Sequence, residues 1–255
     1  MVNRCTACGL CLAACPRGAL QPVQDGDGPC RVALNRALCD QCAACVEVCY
    51  PGALKVAGQW WDAEALALEV ARDAPFFASS GGGVTLSGGE ASQQGEFAAA
   101  FLGACRRMGL ATALETNGVA PWRIFEQLAQ VTDLFLFDLK LMDSQAHRRL
   151  TGAPNQAAQT NLRRLVKCGA QVTARVPCIP GINDDELNIE ATARFARELG
   201  LGEIHLLAYN AAAPAKYAWL GRPYALPELA AQDAEKMEAL AGICRSYGLQ
   251  AHIIR

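Results

Sequence analysis

From residue 59 onward, short apolar runs alternate with stretches in which apolar residues recur at helical spacing. The runs Val84–Ser87, Ala111–Glu115, Leu134–Leu139, Gln171–Pro177 and Glu203–Tyr209 are apolar and partly β-branched or aromatic. That is the pattern of parallel strands buried on both faces. Between them, Asn155–Cys168, Asp185–Leu199 and Pro227–Tyr247 predict helices. Each is followed by a glycine in the C′ position, namely Gly169, Gly200 and Gly248. His252, in the terminal AHIIR, is placed in a closing strand. Strand–helix alternation predicts an α/β fold with a parallel sheet, either barrel-like or doubly wound. In both, polar chemistry gathers at the C-terminal strand ends.

The first 58 residues have a different texture. Cys5, Cys8, Cys11 and Cys15 follow C-x2-C-x2-C-x3-C, and Pro16 comes next. Cys39, Cys42, Cys45 and Cys49 repeat the spacing 34 positions later, and the match continues through Gly18-Ala19-Leu20 against Gly52-Ala53-Leu54. Three closely spaced thiolates can wrap three corners of an iron–sulfur cubane, and the fourth reaches the neighbouring cluster. The expected ligand sets are Cys5, Cys8, Cys11 and Cys49 for one [4Fe–4S] cluster, and Cys39, Cys42, Cys45 and Cys15 for the other. Small residues between the ligands (Ala7, Gly9, Ala13, Ala43, Ala44) let backbone N–H groups point at sulfur. Structural zinc, the competing reading, prefers paired C-x2-C knuckles with four ligands per ion. The domains expected are residues 1–58, a bicluster ferredoxin-like module, and residues 59–255, the α/β unit.

Composition narrows the function classes. Apolar residues make up 52% and charged residues 19% of 255, enough to bury a sizeable core. A net charge of -2 and the lack of a Lys/Arg block argue against nucleic acid or anionic membrane as the main partner. No apolar run approaches the ~20 residues needed to span a bilayer. Thirteen cysteines in a long chain with no export signal fit thiolate–metal ligation in a reducing cytoplasm. Cys105, Cys168, Cys178 and Cys244 lie in apolar settings and are expected to be small buried hydrophobes, with Cys30 a spectator. His147 and His205 have no companion at ligand spacing.

Polar residues collect where the strands end. Gly88-Gly89 permits a sharp turn and close approach of a ligand. Glu90 adds a carboxylate suited to an ammonium group. The second strand ends with Glu115, Thr116 and Asn117, the third with Asp138 and Lys140, the fourth carries Arg175, and the fifth runs out to Asn210. A charge inside an apolar strand such as LFLFDLK costs stability unless paired, so a structural Asp–Lys or Glu–Lys pair is the alternative. Five strands presenting polar groups at one end read as a polar small-molecule pocket.

The segments SGGGVTLSGGE, ALETNG, DLFLFDLKLMD, HRRLTG, RVPCIPGIND, EIHLLAYN and KYAWLG occur in that order. Together they resemble the activating enzymes of glycyl-radical enzymes, within the radical SAM superfamily, over nearly the whole chain. The resemblance implies a partial (β/α)6 barrel in which Gly88, Gly89 and Glu90 hold the amino group of S-adenosylmethionine. Glu115, Thr116 and Asp138 match positions contacting that cofactor or a nearby alkali cation. Lys140 and Arg175 match further cofactor contacts, and Asn210 stands where the family usually has a histidine at the nucleoside. Lys216 and Tyr217 match a segment without an assigned role. In such enzymes a reduced cluster passes an electron to the sulfonium, and the 5′-deoxyadenosyl radical formed takes hydrogen from a partner glycine. The implied partners are a glycyl-radical enzyme and a low-potential electron donor such as flavodoxin or ferredoxin, in anaerobic cytoplasm.

One departure is large. The family holds its radical-generating [4Fe–4S] cluster with C-x3-C-x2-C after the first barrel strand. Here Cys11 and Cys15 are followed at the required position by Gly18, and Cys45 and Cys49 by Gly52. The expectation is a barrel missing its first strand and this segment, through truncation, a late start or separate coding, with an apolar edge exposed near Val84–Leu86. Ala91 for proline and Asn210 for histidine are smaller departures. Two [4Fe–4S] clusters and S-adenosylmethionine are the expected cofactors, the third cluster's ligands being absent. No residue is assigned a catalytic role. The alternative is an iron–sulfur electron-transfer protein on a degenerate radical SAM scaffold.

Overall fold

A computed structural model describes residues 4–24, 31–212, 216–217, 223–226 and 229–254. Cys30, the first residues of the expected Pro227–Tyr247 helix and the end of KYAWLG lie outside the described residues. The chain divides into two compact units, Met1–Trp60 and Trp61–Arg255.

In the first unit, helices α1 (Leu10–Ala14) and α2 (Ala44–Glu47) occupy equivalent places in the duplicated arrays. Strands β1 (Leu20–Val23) and β2 (Arg31–Leu34) form an antiparallel pair that hydrophobic patterning did not reveal. The duplication extends to the backbone. Ala7 and Gln41 have φ of 56° and 61°, and Gly9 and Ala43 have 75° and 64°. Left-handed conformation costs a non-glycine residue roughly 1–2 kcal/mol, and such strain persists only where the surroundings over-determine it. Here it falls between the cysteines and turns each loop about one centre.

The second unit is a six-stranded parallel sheet: β3 (Val84–Leu86), β4 (Thr112–Thr116), β5 (Leu134–Asp138), β6 (Val172–Pro177), β7 (Glu203–Leu207) and β8 (Gln250–Ile254). Spatial order equals chain order, so every crossover advances the same way. A doubly wound sheet needs a reversal of order; this succession is the barrel-type arrangement. The helices are α3 (Ala63–Val70), α4 (Ala74–Ser80), α5 (Gly95–Arg107), α6 (Trp122–Leu128), α7 (Ser144–Thr151), α8 (Gln156–Lys167), α9 (Glu186–Glu198) and α10 (Ala234–Ser246). Asp62, Asp143, Asp185 and Asp233 cap the starts of α3, α7, α9 and α10 by accepting first-turn N–H groups. The three expected stop glycines follow α8, α9 and α10 with φ of 78–80°. His252 lies in β8, as anticipated.

One expectation needs correction. The strands are not apolar on both faces. Leu114, Phe135, Phe137, Ala174, Val176, Ile204 and Leu206 are wholly buried and belong to the core cluster. The alternate positions carry Glu115, Asp138, Arg175, Glu203, His205 and His252. Parallel register sets Asp138 opposite Arg175, Arg175 opposite His205 and His205 opposite His252, so these four share one inner face. A sheet wound toward a barrel has a concave side, and that side here is polar.

Gly118, just past β4, packs against the apolar face at Phe137. Its φ is +73°, and an added Cβ would stand 2.1 Å from Cζ of Phe137. Gly118→Ala is expected to destabilise the protein by roughly 2–5 kcal/mol, from backbone strain plus overpacking. Adding Phe137→Leu removes the clash and leaves the backbone penalty. Denaturant midpoints should therefore show the double variant losing less than the sum of the two single losses.

Candidate functional site

The rim of the sheet begins at Ser87, where β3 ends. Gly88 takes φ +123°, and a Cβ on either Gly88 or Gly89 would meet nothing within 4 Å. That leaves open space against bare backbone, the cradle a small polar ligand requires. Glu90 follows, and its carboxylate is fully oriented by the chain. Oε1 accepts from Ser92 Oγ at 2.7 Å, Ser92 N at 3.2 Å and Thr116 Oγ1 at 2.6 Å, while Oε2 accepts from Asn117 N at 2.8 Å. One oxygen is saturated, and the other keeps capacity for a further donor. Ser92 and Thr116, 4% and 2% exposed, are the supports that make this orientation rigid.

Glu115 and Arg175 meet across the intervening strand β5. Arg175 Nη1 lies 2.5 Å from Glu115 Oε1, with both side chains largely buried, and Ser87 Oγ donates to Glu115 Oε2. The ion pair that exists is thus Glu–Arg rather than the Asp–Lys or Glu–Lys considered from sequence. A pair this buried gains little net energy, but removing one partner strands a charge.

Asp138 stands at the middle of the group. Burial pushes its carboxyl up from 3.8 to about 6; Lys140 and Arg175 pull it back, and Glu115 and Glu90 push it further up. All four neighbours are close enough to act on it, so Glu90, Glu115, Asp138, Lys140 and Arg175 converge on one place. Asp138 Oδ1 is buried and, among the described residues, has no hydrogen-bond partner. An orphaned buried oxygen suits a hydroxyl donor or a cation. Asn210 is the exception among the predicted residues. It is exposed, and its Oδ1 accepts the Ala212 N–H at 2.9 Å. Among the described residues, no hydrogen bond or ion pair ties it to the other eight.

Three residues that the sequence did not bring together, Glu203, His205 and His252, lie on the same inner face. His205 Nε2 is 2.7 Å from Glu203 Oε1, His252 Nε2 is 3.5 Å from the same oxygen, and the two rings meet edge-on. His205 therefore has a companion, supplied by a strand 47 residues later. Only parallel register brings the two together.

The cysteine arrays lie close to one another in the first unit. Burial, then the neighbouring thiols of Cys49, Cys8 and Cys5, push the Cys11 thiol up. For Cys45 the causes are burial and then Cys15, Cys39 and Cys11. The fourth cysteine of each array is thus near the other array, Cys49 beside Cys11 and Cys15 beside Cys45. Cys5, Cys8, Cys11 and Cys49 line a cavity of about 100 Å³ together with Arg31, Val32, Pro51 and Leu54. Backbone N–H groups of Ala19, Gln41 and Leu54 donate to Sγ of Cys15, Cys39 and Cys49 at 3.3–3.4 Å. Among the described residues, no three Cys, His, Asp or Glu side chains close around a point suited to one metal ion. Thiolates spaced around a hollow fit a four-iron core better than a zinc ion. Cys105, Cys178 and Cys244 are buried as expected, but Cys168 is exposed, since it caps the solvent end of α8 rather than facing the core.

Comparison with known proteins bears on both parts. The pattern of the radical SAM superfamily matches residues 48–196, and that of a 4Fe-4S binding domain matches residues 1–21. The isethionate sulfite-lyase activating enzyme of Desulfovibrio desulfuricans is 37% identical over 230 residues, covering 89% of this chain and 72% of that protein. The choline trimethylamine-lyase activating enzyme of Oleidesulfovibrio alaskensis is 35% identical over 264 residues, covering 99% and 82%. A crystallised domain of pyruvate-formate lyase-activating enzyme from Bacteroides vulgatus superposes with a TM-score of 0.56 at 30% identity, covering 68% of this chain and 98% of that one.

The Asp138 carboxyl makes stability depend on pH. The folded protein holds its proton more tightly than the unfolded chain does, so its contribution is complete below about pH 4 and lost as pH rises through about 6. The shift corresponds to roughly 3 kcal/mol. Asp138→Asn should therefore gain stability relative to the parent between about pH 4 and pH 6, with a constant difference on either side. Chemical unfolding across that range checks it, and parallel pH profiles would contradict the assignment.

Proposed function

Because the chain belongs to the radical SAM superfamily, among the activating enzymes of glycyl-radical enzymes, we propose that its sheet rim holds S-adenosylmethionine and its cysteine arrays hold two [4Fe–4S] clusters. The protein it acts on is then a glycyl-radical enzyme, and its product is a glycyl radical on that partner. The observation that carries the reading is the convergence of Glu90, Glu115, Asp138, Lys140 and Arg175 beside the open backbone of Gly88 and Gly89.

S-adenosylmethionine supplies a sulfonium whose C–S bond breaks on one-electron reduction. In this reading the chain's own residues bind and orient it. The free capacity of Glu90 Oε2 takes the ammonium group beside Gly88 and Gly89. Thr116 holds Glu90 in place, and Asp138 Oδ1 receives a hydroxyl or an alkali cation. Glu115, Lys140 and Arg175 supply the remaining polar contacts, while Asn210 is held by its own loop through the Ala212 N–H. The two sets of four cysteines ligate their clusters completely and leave no iron open to substrate. None of the 255 residues forms the C-x3-C-x2-C set of the radical-generating cluster, so the reductive step is not assigned to side chains of this sequence. A low-potential donor such as flavodoxin or ferredoxin would deliver electrons, in the cytoplasm. Among the described residues, no helix is long and apolar enough to cross a membrane. A net charge of -2 leaves nucleic acid and anionic membrane out of the reading.

The turn that absorbs Asn210 favours a second reading: an electron-transfer protein on a radical SAM scaffold. Both readings expect about eight iron atoms per chain after anaerobic reconstitution. They part at S-adenosylmethionine. Calorimetry should show binding that Glu90→Ala weakens roughly ten-fold or more, through loss of a charged hydrogen bond. Two reducible clusters with no S-adenosylmethionine affinity would instead establish the electron-transfer reading.

A further inference from the structure

The motif Pro180–Asp184 and the segment before α10 remain outside the site so far, yet side-chain amides from both, buried at Asn183 and half-buried at Gln232, reach its loops. Asn183 is 2% exposed. Its Nδ2 donates to the carbonyls of Lys140 and Pro177, both at 2.8 Å, and its Oδ1 accepts the Ile179 N–H at 2.6 Å. Asn188, in the first turn of α9, donates through Nδ2 to the Asn183 carbonyl at 2.9 Å and to that of Lys140 at 3.4 Å. Its Oδ1 accepts the Met142 N–H at 2.9 Å. Gln232 donates through Nε2 to the Cys178 carbonyl at 3.1 Å and to Asp184 Oδ2 at 3.2 Å, and its Oε1 accepts the Tyr209 N–H at 3.0 Å.

These contacts share a logic. Where a strand ends, its carbonyls and N–H groups lose their ladder partners and must be satisfied otherwise. A primary amide offers two donors and one acceptor, so one buried Asn or Gln can join several such groups from different loops. The loops joined here follow β5, β6 and β7. The first carries Lys140, the second continues the strand of Arg175, and the third carries Asn210.

We propose that Asn183, Asn188 and Gln232 are positioning residues that lock these three loops into one preset rim, so that the pocket is formed before ligand arrives. This rests on the S-adenosylmethionine pocket proposed above. None of the three needs to touch the ligand; their effect passes through the backbone of Lys140 and Tyr209.

The test compares anaerobically reconstituted wild type with Asn183→Leu, Gln232→Met and Leu102→Ala. The last creates a cavity in α5, at a fully buried residue of the core, and controls for lost stability. Titration calorimetry with S-adenosylmethionine and amide hydrogen exchange are measured well below each unfolding transition. Asn183→Leu and Gln232→Met should each weaken binding roughly ten-fold or more, since small misplacements of a binding group are costly. Exchange should speed up in residues 139–142 for Asn183→Leu and in residues 207–210 for Gln232→Met, while β4 stays protected. Leu102→Ala should keep its affinity within about two-fold of wild type, the scatter expected of a distant site. Equal losses in all three variants, or none in the amide variants, overturn the proposal. The wild type separates this from the parent reading. No binding by the wild type overturns the pocket itself, whereas wild-type binding that the amide variants leave intact overturns the positioning role alone.

Discussion

Charge on the inner face of a parallel sheet has to be neutralised, and that requirement organises the second unit. Glu115, Asp138 and Arg175 stand where side chains of a barrel interior are ordinarily apolar. Arg175 reaches over β5 to Glu115, and Ser87 completes the shell of that carboxylate. Asp138 is left with a buried oxygen that no described group satisfies. Such a group is tolerable when a ligand supplies the missing partner, and otherwise costs about as much as a lost hydrogen bond. The outer face bears the opposite character, a dry layer of Leu114, Phe135, Phe137, Val176, Ile204 and Leu206. Stability and binding are thus divided between the two faces of the same strands.

In the first unit the governing requirement is the distance between thiolates. Three sulfurs from a chain of a few residues, and a fourth from the other array, must all face inward around an iron–sulfur core. That forces left-handed backbone at Ala7, Gln41 and Ala43, where no glycine relieves it. The strain recurs at equivalent positions of the duplicated loops, as it would if the bound group imposes it. Cluster binding and folding are coupled in such a unit, because little else is buried there: of the array cysteines only Cys11 falls in the core.

The glycyl-radical activating family links a sulfonium pocket with iron–sulfur chemistry, and the chain presents residues suited to the first and to two fully ligated clusters. Its rim is assembled by supporting side chains: Ser92 and Thr116 orient Glu90, and the amides of Asn183, Asn188 and Gln232 tie loop to loop. Rigidity at the C-terminal ends of parallel strands comes from such crosslinks, since the ladder that holds the strands stops there. The Glu203–His205–His252 group occupies the far side of the same face and adds polarity where the sheet approaches its β8 edge.

The spacing of the cysteines, the apolar runs, the helix stops at Gly169, Gly200 and Gly248 and the polar residues at successive strand ends were all readable from the chain. Each depends on neighbours a few positions away or on a repeat. The order of strands, and with it the choice of barrel over doubly wound sheet, was not readable from periodicity alone, and only the likeness to a family suggested it. Nor could pattern alone show that Glu115 pairs with Arg175, that Glu90 Oε1 is already saturated, that Asn210 turns back on its own loop, or that His205 faces His252. Those outcomes depend on register between strands dozens of residues apart. One step of register moves a side chain to the opposite face, so only the folded sheet decides which charges meet.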